Sequence, residues 1–228
     1  TLQEVIGIRP SPCSLAEYGV AYRQVDLLSD GSFDYEGIRK AINPKTKMVT
    51  IQRSKGYATR PTFSVTQIGE LIAFCKSIKP DVIVMVDNCY GEFVEYEEPT
   101  DAGVDLIIGS LIKNPGGGIA ETGGYIAGKA ALVEQCAYRL TCVGMGKEVG
   151  CSLNQCRSMY LGLFMAPEVV ANARKTGVFA ASLFRALGFE CLPAAGQTAG
   201  GIITVLSLRS PAAMEAFCAG IQAGSPVD

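Results

Sequence analysis

The chain has no histidine, and that one absence removes several kinds of chemistry. A Ser-His-Asp triad, a Cys-His pair and a histidine general base are all excluded within these 228 residues. Proton transfer therefore falls to Lys, Asp, Glu, Tyr or Cys. Charge is also sparse: 18% of the residues are charged, the net charge is -2, and no basic run occurs. Neither nucleic acid nor an anionic membrane is expected as a partner. No apolar stretch is long enough to span a bilayer, and no signal peptide is expected. Apolar residues are plentiful instead, at 48% of the chain, as in a core-rich globular protein.

Nine cysteines stand out: Cys13, Cys75, Cys89, Cys136, Cys142, Cys151, Cys156, Cys191 and Cys218. The count is odd and no Cys-x-x-Cys pair occurs. Without histidine, a zinc site would need four thiolates at unusual spacing, so no metal is expected. Reduced thiols, most of them within apolar runs of a cytoplasmic protein, are the expected state.

From about Tyr22, short apolar runs alternate with helical periodicity. Asp34 to Ile42 reads as a short helix stopped by Asn43-Pro44, and Lys47 to Gln52 as a strand. Ser64-Val65-Thr66-Gln67 has capping-box spacing, and Ile68, Leu71, Ile72, Cys75 and Ile78 then recur at helical spacing. Val82 to Val86 is an uninterrupted β-branched strand, as in a parallel sheet buried on both faces. Asp105 to Gly109 repeats that pattern, Gly123 to Gly128 is a further short strand, and Lys129 to Val143 is a helix. This order implies an α/β fold with a mostly parallel sheet and helices on both faces. Beyond Gly150, two helices are expected, Leu153 to Leu163 and Glu168 to Leu187, with Pro167 at a first helical position. Phe189 to Leu192 and Ile202 to Leu208 are strand-like. The expected organisation is a large domain over residues 1–166, followed by a linking helix and the start of a smaller α+β domain over 167–228.

Ligands of such sheets bind beyond the carboxyl ends of the strands, where Arg53, Asp87 and Ser110 all stand. Asp87 closes an apolar run, so its carboxylate is costly there unless a fixed cation meets it. Lys113 lies just past the next apolar run, with Asn114-Pro115 and three glycines behind it. A lysine and an acid at neighbouring strand ends suit pyridoxal phosphate (PLP), the lysine carrying it as a Schiff base and the acid pairing with its ring nitrogen. Desolvation beside the strand is expected to lower the Lys113 pKa. Ser110 is a candidate for the cofactor phosphate, equally readable as an ordinary strand-end hydroxyl. Arg53 and Arg60 flank a loop suited to a phosphate or a substrate carboxylate, or simply solvated. Tyr90, three residues past Asp87, flanks the cofactor or packs.

These residues resemble the fold type I PLP enzymes of cysteine and methionine metabolism. Those enzymes have an Asp-Asn pair after an apolar strand and then Ser-x-x-Lys, matching Asp87-Asn88 and Ser110-Leu111-Ile112-Lys113. The segments Gln-Arg-Ser-Lys-Gly-Tyr, Val-Asp-Asn-Cys-Tyr-Gly-Glu-Phe and Ser-Leu-Ile-Lys-Asn-Pro-Gly-Gly look most like the methionine gamma-lyase-like family, often labelled aluminium resistance protein. The likeness covers roughly residues 1–190. It implies the aspartate aminotransferase-like fold and carbon–sulfur lyase activity on a small sulfur-containing amino acid. Lys113 and Asp87 become the catalytic residues. Asn88, Tyr90, Ser110 and Arg53 become cofactor contacts, and Arg60 a substrate contact. A homodimer or homotetramer is implied as well. Ile112 departs from the pattern, standing where better-known lyases have a second hydroxyl residue. Thr1 is not Met and the end at Asp228 has no closing element, so further sequence, including a phosphate loop and a ring-stacking aromatic, is expected outside this segment.

Overall fold

A computed structural model describes residues 2–194, 196–197 and 200–225. After the short helices α1 (Leu2–Ile6) and α2 (Tyr35–Ala41), the chain lays down β1 (Met48–Gln52), α3 (Val65–Ile78), β2 (Ile83–Asp87), β3 (Leu106–Ser110) and β4 (Gly124–Gly128). The four strands form one sheet in the order β1-β2-β3-β4. β1, β2 and β3 run parallel, with Gln52 beside Asp87 and Asp87 beside Ile108. The carboxyl ends of all three therefore lie on one rim, as the apolar runs imply. β4 corrects the picture in one respect, since it runs antiparallel to β3. Residues 111–123 contain only a single 3-10 turn, Asn114–Gly116, and no helix to carry the chain back to the far end of the sheet.

Helix α3 shows how sequence, capping and packing cooperate. Ser64 Oγ accepts from the Gln67 N–H at 3.2 Å, and Gln67 Oε1 accepts from the Ser64 N–H at 3.0 Å. These bonds satisfy donors that the first helical turn leaves open. Val65, Ile68, Leu71, Ile72 and Cys75 form the buried stripe. Ile68, Leu71, Ile72 and Cys75 pack with Ile51, Phe63, Val82, Val84, Val86, Val104 and Ile107 as the core. Ile68 is fully buried there, so Ile68→Ala should cost about 3 kcal/mol, read as a lower denaturant midpoint with an unchanged slope.

The opposite end of the sheet is pinned by Asp105. Its buried carboxylate accepts from Lys76 Nζ at 2.8 Å, the Val84 N–H at 2.7 Å and Lys129 Nζ at 2.6 Å. One side chain thereby ties α3, β2 and the chain leaving β4.

Past β4 come α4 (Ala130–Leu140), α5 (Cys156–Ala186), β5 (Glu190–Leu192), β6 (Val205–Ser207) and α6 (Pro211–Gly224). β5 and β6 form a separate antiparallel pair. The two helices expected on either side of Pro167 are a single helix of 31 residues. Proline has no N–H for the Leu163 carbonyl, yet the helix continues because its buried stripe, Gly162, Ala166 and Val170, runs straight through that position. The boundary expected after residue 166 thus falls inside α5. Among the described residues, no helix is long and apolar enough to cross a membrane, and no His/Cys/Asp/Glu cluster could hold a metal ion. All nine cysteines are unpaired thiols.

Candidate active site

Lys113 leaves the end of β3 in a tight turn. Its N–H donates to the Ser110 carbonyl at 3.3 Å, and its own carbonyl accepts from the Gly116 N–H at 3.0 Å. Behind it the turn abuts α5 so closely that side chains are excluded. A Cβ on Gly116 would lie 1.7 Å from the Leu111 carbonyl oxygen, and one on Gly162 would lie 2.2 Å from the Gly116 carbonyl oxygen. Gly116 and Gly117 are buried in this contact, and of the three glycines only Gly118 faces open space.

The Lys113 ammonium sits 4.6 Å above the centre of the Tyr90 ring, a cation–π geometry. Tyr90 reaches that place through a left-handed backbone, φ 67°, which a tyrosine adopts only under constraint. Asp87 ends β2 half-buried, and its Oδ1 accepts from the Cys89 N–H at 3.1 Å. Lys113, Asp87, Cys89 and Tyr90 are thus one electrostatic cluster on the rim.

Burial pulls the Lys113 pKa down, but Cys89, Tyr90 and Asp87 together outweigh it and leave the ammonium favoured. This reverses the lowered pKa expected from desolvation alone. Burial, together with Asp87, raises the Cys89 pKa, so Cys89 is a neutral thiol near pH 7. Asp87 is the remaining acidic neighbour that favours the Lys113 ammonium. The raised pKa keeps Lys113 an ammonium near pH 7.

Two of the candidate contacts turn inward. Arg53 has no exposed surface. Its guanidinium donates to the Phe63 carbonyl at 3.3 Å, Asn88 Oδ1 at 2.7 Å, the Gly91 carbonyl at 3.1 Å and Glu95 Oε1 at 2.6 Å. Asn88 is equally buried, with its Nδ2 donating to Glu98 Oε2 at 3.0 Å. These two residues hold the loop after β2 from beneath and offer no open face to a ligand. Glu95 in turn accepts from the Val65 N–H at 3.1 Å, linking that loop to the first turn of α3.

Arg60 is half-buried and its Nη atoms are spent on backbone. It donates to the carbonyls of Pro61 at 2.8 Å, Gln52 at 2.8 Å and Ser54 at 2.5 Å, and its guanidinium lies 4.8 Å above the Phe63 ring. It shapes the loop after β1 rather than presenting a free fork to an anion. Lys55, next along that loop, is buried and donates to the Leu192 carbonyl at 2.8 Å, joining the rim to the end of β5. Ser110 stays half-buried at the end of β3, level with Gly124 of β4.

Three further residues complete the surroundings and carry no signal of spacing. Glu92 is buried, its backbone carbonyl accepting from Asn114, the neighbour of Lys113, and its carboxyl accepting from Tyr125 of β4. The Gly-Glu-Phe step after Tyr90 places an acid in an apolar segment, the one hint the sequence holds.

The methionine gamma-lyase family profile matches residues 1–228. The uncharacterised protein YnbB of Bacillus subtilis is 48% identical, over 100% of this chain and 55% of its own length. A solved Listeria monocytogenes structure, assigned provisionally as a cystathionine beta-lyase involved in aluminium resistance, is 50% identical with a TM-score of 0.97, over 100% of this chain and 56% of that one. The carbon–sulfur lyase involved in aluminium resistance from Clostridium novyi is 42% identical with a TM-score of 0.94, over 100% and 55%. The chain thus spans about half the length of these relatives. An aspartate aminotransferase from Thermus thermophilus, at 13% identity and TM-score 0.61, shares the fold alone. The chain therefore has an α/β, aspartate aminotransferase-like fold with a mostly parallel sheet, and it belongs to the methionine gamma-lyase family.

Proposed function

We propose that this chain carries the lysine-bearing part of a PLP-dependent lyase that cleaves the carbon–sulfur bond of a sulfur-containing amino acid. The observation that carries the reading is the rim cluster, with Lys113 over Tyr90 and electrostatically coupled to Asp87 at the adjacent strand end. The donor set fits the cofactor. It offers a half-exposed primary amine, a half-buried carboxylate able to pair with a protonated ring nitrogen, an aromatic face and the Ser110 hydroxyl. When bound, pyridoxal phosphate supplies an electron sink for negative charge developing at the substrate Cα.

Within that frame, Lys113 would hold the cofactor through its amine and would move the proton at the substrate Cα. Asp87 supplies the negative charge that keeps a ring nitrogen protonated. Ser110 contributes a hydroxyl for the phosphate. Arg53 and Asn88 keep the Asp87 and Tyr90 loop in place, and Arg60 holds the loop beside it. With one water taken up, the products would be a thiol, a 2-oxo acid and ammonia. The carbon–sulfur lyase named among the relatives supports this outcome.

The test is an assay of the whole protein with cysteine, cystathionine and methionine, reading 2-oxo acid and thiol together. Both should appear in equal amounts from at least one substrate. A 2-oxo acid without thiol means transamination, and a yellow protein yielding neither means a cofactor carrier.

A cytoplasmic location and a homodimer or homotetramer with twofold symmetry belong to the same reading. Along α5, Tyr160 and Phe164 are 74% and 80% exposed one turn apart, apolar surface that assembly would cover. Light scattering at micromolar concentration should give at least twice the mass of one subunit, and a monomer overturns the assembly.

A further inference from the structure

Glu92 is a buried titratable residue that the mechanism above leaves unused. It is 4% exposed and lies among Gly109 of β3, Tyr125 of β4 and the turn that follows β3. Tyr125 Oη donates to Glu92 Oε1 at 2.7 Å, and Asn114 Nδ2 donates to the Glu92 backbone carbonyl at 2.9 Å. Position 109 is glycine for a reason visible here. A Cβ there would stand 2.5 Å from Glu92 Oε1 and 2.3 Å from Tyr125 Cε1.

Among the described residues, two buried side-chain oxygens have no donor, and both belong to this cluster: Glu92 Oε2 and Asn114 Oδ1. Turning the Asn114 amide around gives no relief, because its nitrogen is committed to the Glu92 carbonyl. A bare buried acceptor is destabilising. A proton on Glu92 Oε2 makes that oxygen a donor, and the carboxyl group then carries no charge into the core.

We propose that Glu92 is held as a neutral carboxylic acid and, with Tyr125 and Asn114, forms an uncharged buttress that positions the turn bearing Lys113. Asn114, the residue after Lys113, is bonded to the Glu92 backbone carbonyl, so seating the Glu92 side chain fixes the carbonyl that holds the turn, and Glu92 is a positioning residue. The proposal rests on Lys113 being the reactive amine. The charged surroundings agree. Burial pushes Glu92 up to about 7, the Tyr125 hydrogen bond pulls the other way, Glu98 adds to the rise and Arg53 opposes it. Glycine at position 109 means β3 contributes no charge at that point of contact.

Infrared difference spectra of the whole protein at pH 6, wild type minus Glu92→Gln, should show a protonated carboxyl band that converts to carboxylate as pH rises through about 7. Borohydride trapping of pyridoxal phosphate on Lys113 gives a second readout. Glu92→Gln keeps a neutral donor and should trap within about threefold of the wild-type rate, whereas Glu92→Ala should be slower by roughly tenfold or more. Relative to the Gln variant, wild-type trapping should fall as pH passes 7, because only the wild type ionises there. Thermal unfolding follows the same sign. An acid whose pKa is raised by folding stabilises fully at low pH and loses that contribution as pH rises through the folded value, so Glu92→Gln should gain on the wild type.

A carboxylate band at pH 6 overturns the proposal. So does a Gln variant as slow as the Ala variant with both folded, or an Ala variant as fast as wild type. If the Ala variant fails to fold, the band and the Gln rescue decide. If wild type traps nothing on Lys113, the proposed function fails, and the band with the unfolding comparison still decides the buttress.

Discussion

Lys113→Ala is expected to abolish the borohydride-stable PLP adduct and to lower turnover by roughly 10⁴-fold or more, because one substitution removes both the covalent anchor and the proton carrier. The fold should survive. Lys113 is half-exposed, its amine makes no contact with the core, and the turn around it is held by backbone bonds and by packing against α5. Peptide mapping of the reduced wild-type protein is the check. Other lysines serve as internal controls. Lys55 is buried against the Leu192 carbonyl, and Lys129 pairs with Asp105 at the far end of the sheet. An adduct on either of them, or on Lys147, would sink the mechanism even if the protein binds the cofactor. The rate of trapping should climb as pH rises from 6 to 9. The raised Lys113 pKa leaves little neutral amine near pH 7, and the reactive fraction grows until that pKa is passed.

Asp87→Ala should separate the two effects. Removing the carboxylate deletes a negative charge that favours the Lys113 ammonium, so more neutral amine is present at a given pH and initial trapping should be as fast as wild type or faster. Turnover should nevertheless drop by roughly a hundredfold or more, since an unprotonated ring is a poor electron sink. Normal trapping with lost turnover separates Asp87 from Lys113, where both are lost. If Asp87→Ala retains wild-type turnover, the carboxylate is only a loop anchor for the Cys89 N–H.

The rim was legible because it depends on local signals. A β-branched run followed by Asp87, and another followed by Ser110 and Lys113, mark strand ends without knowledge of the tertiary structure. The Ser64 and Gln67 capping box is local in the same way. The inward turn of Arg53 was not legible, because its partners Asn88 and Glu95 stand 35 and 42 residues further along the chain, and no spacing rule joins them. An arginine at a strand end reads alike whether it faces solvent or core. The direction of β4 depended on a connection lacking a helix, which the glycine-rich sequence leaves open. Pro167 was read by its usual preference, and the continuous small-residue stripe Gly162, Ala166, Val170 prevailed over it. Glu92 lay hidden because its partner Tyr125 is set by strand pairing rather than by sequence distance.

The contact between Gly162 and Gly116 has a mechanical consequence. Helix α5 is a rod about 46 Å long at 1.5 Å per residue, fastened near one end to the lysine turn and packed at the other against β5. Arg174 clamps its middle to the Val94 carbonyl at 2.7 Å. A tilt of about 1° pivoting at the far end would carry the Gly162 contact roughly half an ångström, on the scale at which reacting groups lose alignment. Because Gly162 meets Gly116 backbone to backbone, that contact has no side chain to absorb the motion, and a substitution near β5 is expected to be felt as a change in chemistry at the rim.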